Sequence, residues 1–320
     1  MKNPLRPKVA FVLGGGGARG LAHLGVLKVL ESAGVRPDLI VGCSAGALVG
    51  SLYAFSATTE EAEARLLAFV ADSPKDMERY DAIRSITPLK PLPEGFFGRL
   101  WRLAKMGKFF ATTLLKESFI DPKQFDRNVA ALLPDRLIEE SPVPLAIVAT
   151  DLDTCREVVL TSGPLRRAVK ASSAIAGVFP PVQVNEAHFV DGGFTSKVPV
   201  EVALRMGADV VLAVDVSSDL PEEDVGDLRR GTNISSRATA IMAETLKNLQ
   251  LRFADVVIKP KMEDVHWADF AGVSGIIPLG EAAALEALPA VKRAIRRGMV
   301  RRAARILGLS PKRKVVFPSA

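Results

Sequence analysis

Short runs of consecutive apolar residues alternate along the chain with longer runs in which apolar residues recur every three or four positions. The short runs are typical of buried strands, and the longer spacing is typical of amphipathic helices. Strands that alternate with helices favour a largely parallel sheet covered by helices on both faces. The predicted strands are Val9–Leu13, Leu39–Cys43, 145–150 and 210–216, and the predicted helices are 21–30, 45–55 and 200–206.

A Gly-x-Ser-x-Gly pentapeptide, from Gly42 to Gly46, lies between the second predicted strand and the helix that follows it. In this context Ser44 can project its hydroxyl from a sharp strand-to-helix turn, as the nucleophile of a hydrolase does. The flanking glycines leave room for such a turn. A serine at this place can equally cap the N-terminus of the helix. Ser44 is therefore a candidate nucleophile with a structural alternative.

A glycine row, Gly14 to Gly17, follows the first predicted strand, and Gly20 comes three positions later. Successive glycines before a helix expose backbone N–H groups, which stabilise a phosphate or the oxyanion of an acyl-transfer intermediate. The spacing also fits a dinucleotide fingerprint, but that motif expects an acidic residue at the end of the second strand. The second strand ends in Cys43 and Ser44, so a dinucleotide site is disfavoured.

The base that would take the proton from Ser44 is less obvious, because the chain contains only three histidines. Asp191 ends a short apolar run and precedes Gly192 and Gly193, a pattern that suits either a catalytic carboxylate or an ordinary turn. A triad of Ser44, Asp191 and His266 would have the chain order of ordinary α/β-hydrolases. The polar residues around His266 predict an exposed loop, which argues against the triad.

Three blocks, taken in order, resemble the signature of the patatin-like phospholipases. They are the glycine row from Gly15 to Gly20, the pentapeptide around Ser44 and the turn that begins at Asp191. A fourth block, from Lys170 to Pro181, also resembles that family. Each block is weak alone, but four in the same order are specific, and the resemblance covers roughly residues 7–215.

The resemblance implies a patatin-like three-layer α/β sandwich and a Ser–Asp dyad that hydrolyses carboxyl esters of lipids, either phospholipids or lysophospholipids. Ser44 would carry the acyl group and Asp191 would be the general base, with no metal or other cofactor. A general esterase or thioesterase and a noncatalytic lipid-binding protein remain alternatives. The implied oxyanion hole is formed by the N–H groups of Gly15, Gly16 and Gly17, and the supporting motif positions are Arg19, Gly20, Gly42, Gly46, Gly192 and Gly193.

Length and composition predict one large domain, since 320 residues with 48% hydrophobic content can bury a sizeable core. We divide it into a catalytic core (7–215), a C-terminal part of the same domain (216–290) and a basic amphipathic tail (291–320). Two cysteines provide no disulfide framework, which suits a reducing compartment. The apolar run before the glycine row is too short for an export signal, so a cytoplasmic location is predicted.

Basic residues are concentrated in the tail, which contains ten Lys and Arg residues and no acid. Without them, Asp and Glu would outnumber Lys and Arg by 36 to 32. Arg293, Arg297 and Arg301 fall on one helical face, which could contact the anionic inner face of a membrane or could simply be solvated. The acid-free stretch from Phe96 to Phe110 mixes aromatic and basic residues and is a second candidate for peripheral membrane contact. No nucleic-acid module accompanies these charges.

Overall fold

The computed structural model describes residues 5–74, 121–220 and 231–307, together with positions 77, 78, 80, 81, 84 and 309. The aromatic and basic stretch from Phe96 to Phe110 lies outside the described residues.

The strands and helices predicted from the sequence begin and end within two residues of their expected bounds. The strands are β1 (Val9–Leu13), β2 (Leu39–Cys43), β3 (Leu145–Asp151), β4 (Arg156–Leu160), β5 (Val182–Val184), β6 (Ala187–Asp191), β7 (Val210–Val214) and β8 (Val256–Ile258). The helices are α1 (Ala22–Ser32), α2 (Ala45–Ala54), α3 (Thr59–Asp72), α4 (Pro122–Leu132), α5 (Leu165–Ser173), α6 (Val200–Arg205), α7 (Gly231–Leu251) and α8 (Val273–Ile306).

One mixed sheet contains all eight strands of the described part of the chain, in the order β5-β6-β3-β2-β1-β7-β8 with β4 paired to β3. The four predicted strands β3, β2, β1 and β7 are parallel, as expected, and β8, which the sequence did not predict, extends this parallel set. The pairs β3–β4, β3–β6 and β5–β6 are antiparallel, which the sequence did not predict. An apolar pattern marks where a strand lies but not the direction in which it pairs, so these antiparallel pairings were not predictable from it.

Helices cover both faces of the sheet, because the central strands are apolar at every position. Alternate residues of β1 point to opposite sides: Phe11 and Leu13 pack with α1, α2, α5 and α8, whereas Ala10 and Val12 pack with α6. The whole of β1 is buried. This arrangement confirms the predicted three-layer α/β class.

Strand β3 brings the ends of two distant strands together. Its residues Ile147 to Asp151 pair with β4 along one edge. The opposite edge is shared, because β2 pairs with the first part of β3 and β6 pairs with the last part. Cys43 is opposite Val148, and Asp191 is opposite Ala149, the next position. The last residue of β2 and the last residue of β6 therefore meet along one edge of β3.

Helix α8 packs against α1 at unusually short range. A Cβ at Gly25 would overlap the carbonyl oxygen of Ile277, and a Cβ at Gly280 would overlap that of Ala22. By length and composition alone, Phe270–Ile306 could cross a membrane, with a mean hydropathy of 1.3 in its most apolar window. The two glycines bring one side of this helix into close contact with α1.

The basic tail predicted from residue 291 begins inside α8, whose C-terminal turns are held to the domain by arginines. Arg301 donates to Asp255 Oδ1 at 2.9 Å, and Arg302 donates to Asp209 Oδ2 at 2.7 Å. Arg301 therefore has a packing role. Arg293 and Arg297 are exposed and have no ion-pair partner among the described residues, so their predicted membrane contact stays a prediction.

Candidate active site

Ser44 occupies the turn between β2 and α2 in a backbone conformation that is rare for a residue with a side chain. Its φ of 53° and ψ of −123° lie outside the broadly allowed regions, and such strain costs about 1–3 kcal/mol. The strain is offset locally, because the Ser44 N–H donates to Ser172 Oγ at 2.8 Å and Ser172 Oγ donates to Val148 O at 2.6 Å. The Ser44 side chain makes no capping hydrogen bond to α2, so the alternative of a simple helix cap is not observed.

The hydroxyl of Ser44 donates instead to Asp191. The distance from Ser44 Oγ to Asp191 Oδ2 is 2.5 Å, and both residues are buried. The other carboxylate oxygen, Oδ1, accepts from the Gly193 N–H at 2.7 Å and lies 4.0 Å from Cys43 Sγ. These contacts orient the carboxylate, leaving Oδ2 available to accept the serine proton.

Burial raises the pKa of the Asp191 carboxyl to about 6, although the hydrogen bonds from Ser44 and Gly193 and the charge of Lys197 act in the opposite direction. A carboxylate with an ordinary pKa is a poor base for a hydroxyl. A raised pKa near the working pH improves its ability to take the proton. The surroundings of Asp191 therefore suit a general base better than an ordinary turn residue.

The N–H groups of the glycine row are not all available. Gly15 donates to Lys197 O at 2.9 Å, and Ala18 donates to Trp267 O at 2.7 Å. Between them, the N–H groups of Gly16 and Gly17 have no acceptor among the described residues, and both glycines line the cleft that contains Ser44. The Gly15 N–H is therefore not free to act as one of the three predicted oxyanion donors in this structure. The predicted roles of Gly16 and Gly17 stay predictions.

Two polar side chains fix the glycine row from outside. His23 Nε2 lies 2.8 Å from Gly14 O, and burial lowers the pKa of His23 to about 4, so the ring is neutral and donates this bond. Arg19 Nε donates to Val265 O at 2.7 Å. Arg19 therefore braces the loop, which fits the supporting position that the resemblance implied for it.

The remaining motif glycines are required by close packing rather than by chemistry. A Cβ at Gly46 would overlap Leu13 O, so α2 could not pack as closely on β1. A Cβ at Gly192 would overlap Val148 O, so the turn after β6 could not pack as closely on β3. Gly20 and Gly42 similarly lie against α2. These close contacts keep Ser44, Asp191 and the glycine row together.

Two spaces meet at Ser44. A narrow apolar pocket of about 90 Å³ runs from Ser44 between helices α2, α3, α4 and α5. A wider, more polar cleft of about 620 Å³ opens on the other side, next to the glycine row and α7. Gly17 and Ile175 line both spaces. The apolar walls of the pocket include Leu48, Leu66, Phe69, Val129, Leu132 and Phe179.

His266 is not part of this constellation. It is buried rather than in an exposed loop, so that expectation was wrong, and its Nδ1 accepts from the Ala268 N–H at 3.1 Å. The direct bond between Ser44 and Asp191 leaves no place for an imidazole between them. No group of His, Cys, Asp and Glu that could hold a metal ion lies within the described ranges.

Sequence reasoning missed two residues of the site, Ser172 and Lys197. Ser172 lies inside the block from Lys170 to Pro181, so its position was marked although its hydrogen bonds to β3 and Ser44 were not. Lys197 follows the Asp191 turn and lines the cleft, but no motif marked it. A lone lysine in a loop carries no signal until the fold brings it beside the site.

The raised pKa of Asp191 predicts the pH dependence of catalysis. The carboxyl must be ionised to accept the serine proton, so kcat/KM should fall as the pH drops through about 6 and should reach a plateau above it. An ordinary aspartate would place this midpoint near 3.8. The check is the initial rate on a soluble short-chain ester between about pH 3.5 and 8, in buffers where the protein stays folded, and a midpoint near that of an ordinary aspartate would contradict the desolvated environment.

The sequence model for patatin-like phospholipases matches residues 11–204, and the chain belongs to that family. Lysophospholipase NTE1 of Mycosarcoma maydis is 34% identical over 225 residues, which is 70% of this chain and 10% of that protein. Patatin-like phospholipase domain-containing protein 6 of Mus musculus is 34% identical over 212 residues, which is 66% of this chain and 14% of that protein. The chain spans between a tenth and a fifth of the length of the curated relatives it matches.

Among solved structures, VipD from Legionella pneumophila is similar with a TM-score of 0.43 and 14% identity, covering 89% of this chain and 67% of that one. The resemblance read from the sequence motifs is therefore confirmed at the level of the family by the sequence match, and the α/β class is confirmed by the sheet itself.

Proposed function

We propose that this protein is a serine hydrolase that cleaves carboxyl-ester bonds of phospholipids or lysophospholipids. The observation that carries the proposal is the 2.5 Å hydrogen bond from Ser44 Oγ to Asp191 Oδ2, made by a serine in a strained strand-to-helix turn. A nucleophile in direct contact with an oriented base is the arrangement that covalent acyl transfer requires.

The reaction would proceed in two halves. Asp191 takes the Ser44 proton while Oγ attacks the ester carbonyl carbon, and the N–H groups of Gly16 and Gly17 stabilise the oxyanion that forms. Collapse of this intermediate breaks the ester bond, and the leaving alkoxide takes the proton from Asp191. Water, deprotonated by the same carboxylate, then attacks the acyl-Ser44 ester, and Ser44 Oγ takes the proton from Asp191 as the acyl–oxygen bond breaks and the fatty acid is released. This route returns both residues to their starting states.

The two spaces at Ser44 support a lipid ester as the substrate. The apolar pocket has almost no polar lining and suits the beginning of an acyl chain, because burial of methylene groups is favourable by about 0.8 kcal/mol each. The wider cleft contains Arg19 and Lys197 and suits a polar leaving group. A general esterase or thioesterase would not need separate spaces for an acyl chain and a polar leaving group.

The test is lipid mass spectrometry of a phospholipid and lysophospholipid mixture incubated with wild-type and Ser44→Ala protein. We expect release of fatty acid by wild type alone, and labelling of wild type by a fluorophosphonate probe with the adduct on Ser44. Hydrolysis of short-chain esters or thioesters without lipid turnover would favour a general esterase. Lipid binding with no turnover and no labelling would favour a noncatalytic lipid-binding protein.

We also propose peripheral contact with an anionic membrane through Arg293 and Arg297, which are exposed on one side of α8. Each basic residue near such a surface contributes about 1 kcal/mol. Arg301 would contribute less, since it is already paired with Asp255. The predicted cytoplasmic location is consistent with this proposal.

A further inference from the structure

Lys197 is a charged residue of the cleft for which the proposed reaction has no use. Its backbone oxygen accepts the Gly15 N–H at 2.9 Å, which fixes the residue against the glycine row. The residue lines the cleft together with Ser44 and Asp191. The backbone of Lys197 therefore holds the loop, and its side chain is free to serve another purpose.

The ammonium group of Lys197 has no hydrogen-bond or ion-pair partner among the described residues, although the side chain is half-buried. The nearby acids are already engaged: Lys247 Nζ lies 3.1 Å from Asp215 Oδ2 and 2.8 Å from Glu244 Oε1. Burial lowers the pKa of Lys197, while the charge of Asp215 acts against that effect. A partly desolvated ammonium group without a partner gains from an anion supplied from outside, so Lys197 is placed to bind one in the cleft.

The charge of the cleft indicates what kind of anion this is. Among its described lining residues, Arg19 and Lys197 are cations, and Asp191 is the carboxylate. Asp191 has its own donors in Ser44 and Gly193. A ligand that carries a negative charge close to the scissile ester would therefore be attracted to Lys197, and a lysine ammonium commonly binds phosphate as a point charge.

We propose that Lys197 is a specificity-determining residue that binds the phosphate of the substrate headgroup, an inference that rests on the proposed hydrolysis of lipid esters. The acyl chain enters the apolar pocket, the carbonyl carbon lies at Ser44, and the phosphate-bearing alcohol occupies the cleft. The rival role for Lys197 is to favour the ionised form of Asp191, which would act on every ester equally.

The first test compares two esters with the same acyl chain, oleoyl glycerol phosphate and oleoyl glycerol, at pH 8 where Asp191 is ionised in each variant. Wild type should favour the phosphate-bearing ester in kcat/KM. Lys197→Met should lower that preference by about 10- to 100-fold, the loss expected for one hydrogen bond to a charged group. The change should lie mainly in KM. The matched control is Lys261→Met, an exposed lysine outside the cleft, which should keep the wild-type preference.

The second test does not depend on turnover. Calorimetric binding of dodecyl phosphate to Ser44→Ala protein is compared with binding to the Ser44→Ala, Lys197→Met double variant, and we expect the Kd to rise at least about tenfold. Inorganic phosphate is titrated in parallel. It should bind far more weakly than dodecyl phosphate, because it lacks the chain that fills the apolar pocket.

Four results would overturn the proposal. An unchanged preference for the phosphate-bearing ester in Lys197→Met would remove the headgroup role, and a kcat/KM midpoint that moves to higher pH on both esters would assign the lysine to Asp191 instead. Unchanged binding of dodecyl phosphate would remove Lys197 from the headgroup site, and equal affinity for inorganic phosphate would assign it to a free anion. If wild type cleaves neither ester, the proposed function fails. The calorimetric binding of dodecyl phosphate would still decide whether Lys197 recognises phosphate.

Discussion

Asp191→Asn is expected to lower kcat by about 100- to 10,000-fold, the contribution typical of a general base. The amide keeps the shape of the side chain, and its carbonyl oxygen can still accept the Gly193 N–H that now binds Oδ1. It cannot take a proton from Ser44 Oγ, however, so the nucleophile is not activated. The measurement is steady-state hydrolysis of a soluble ester, with circular dichroism and thermal unfolding to show that the variant is folded.

His266→Asn provides the comparison for that variant. The histidine is buried, and asparagine keeps an acceptor for the Ala268 N–H, so the turn should survive the change. In a Ser–Asp dyad this variant should stay within a few-fold of wild type. A folded His266→Asn protein as inactive as Asp191→Asn would require a triad and would contradict the direct contact between Ser44 and Asp191.

Gly17→Ala is expected to lower kcat by about 100- to 1,000-fold, as loss of one oxyanion donor does in other hydrolases. Gly17 has a φ of +59°, and a Cβ at this position would overlap the carbonyl oxygen of Trp267. That backbone cannot move away easily, because Trp267 O accepts the Ala18 N–H. The loop must therefore shift, and the N–H groups of Gly16 and Gly17 shift with it.

Gly34→Ala is the matched control, since Gly34 has a φ of +74° but nothing within 4 Å of a new Cβ. Both variants carry the cost of a side chain in a left-handed conformation, about 1 kcal/mol or more. Only Gly17→Ala disturbs the site. Equal activity of the two folded variants on the same ester would mean that the glycine row does not stabilise the oxyanion.

The parallel strands and the three motif blocks were predictable from the sequence, because apolar runs and glycine spacing are local signals. Val9–Leu13 and Leu39–Cys43 were predicted with the bounds that the structure has. Local signals also marked Ser44 and Asp191, although they did not show that the two are in contact. That contact depends on the antiparallel pairing of β6 with β3, which only the tertiary fold supplies.

Other features depend on contacts between distant residues and left no mark in the sequence. The use of the Gly15 N–H by Lys197 O joins positions far apart in the chain, so a motif could not show that one of three apparent oxyanion donors was occupied. The burial of His266 was misjudged because the polar residues beside it suggested exposure. The ion pair between Arg301 and Asp255 was likewise not predictable, since a run of basic residues has the same sequence pattern whether it packs on the domain or faces solvent.

The shared edge of β3 has a consequence for how this protein can change in length during evolution. Ser44 and Asp191 are separated by 147 positions, yet their spacing depends on two adjacent residues of one strand, Val148 and Ala149. Insertions in the surface connections between them leave that spacing intact. A single residue inserted between Val148 and Ala149 would move the two strand ends apart by about 3.3 Å, more than the hydrogen bond tolerates. Insertions in this fold should therefore accumulate in the segments that connect its strands and helices, and the length of β3 should stay constant.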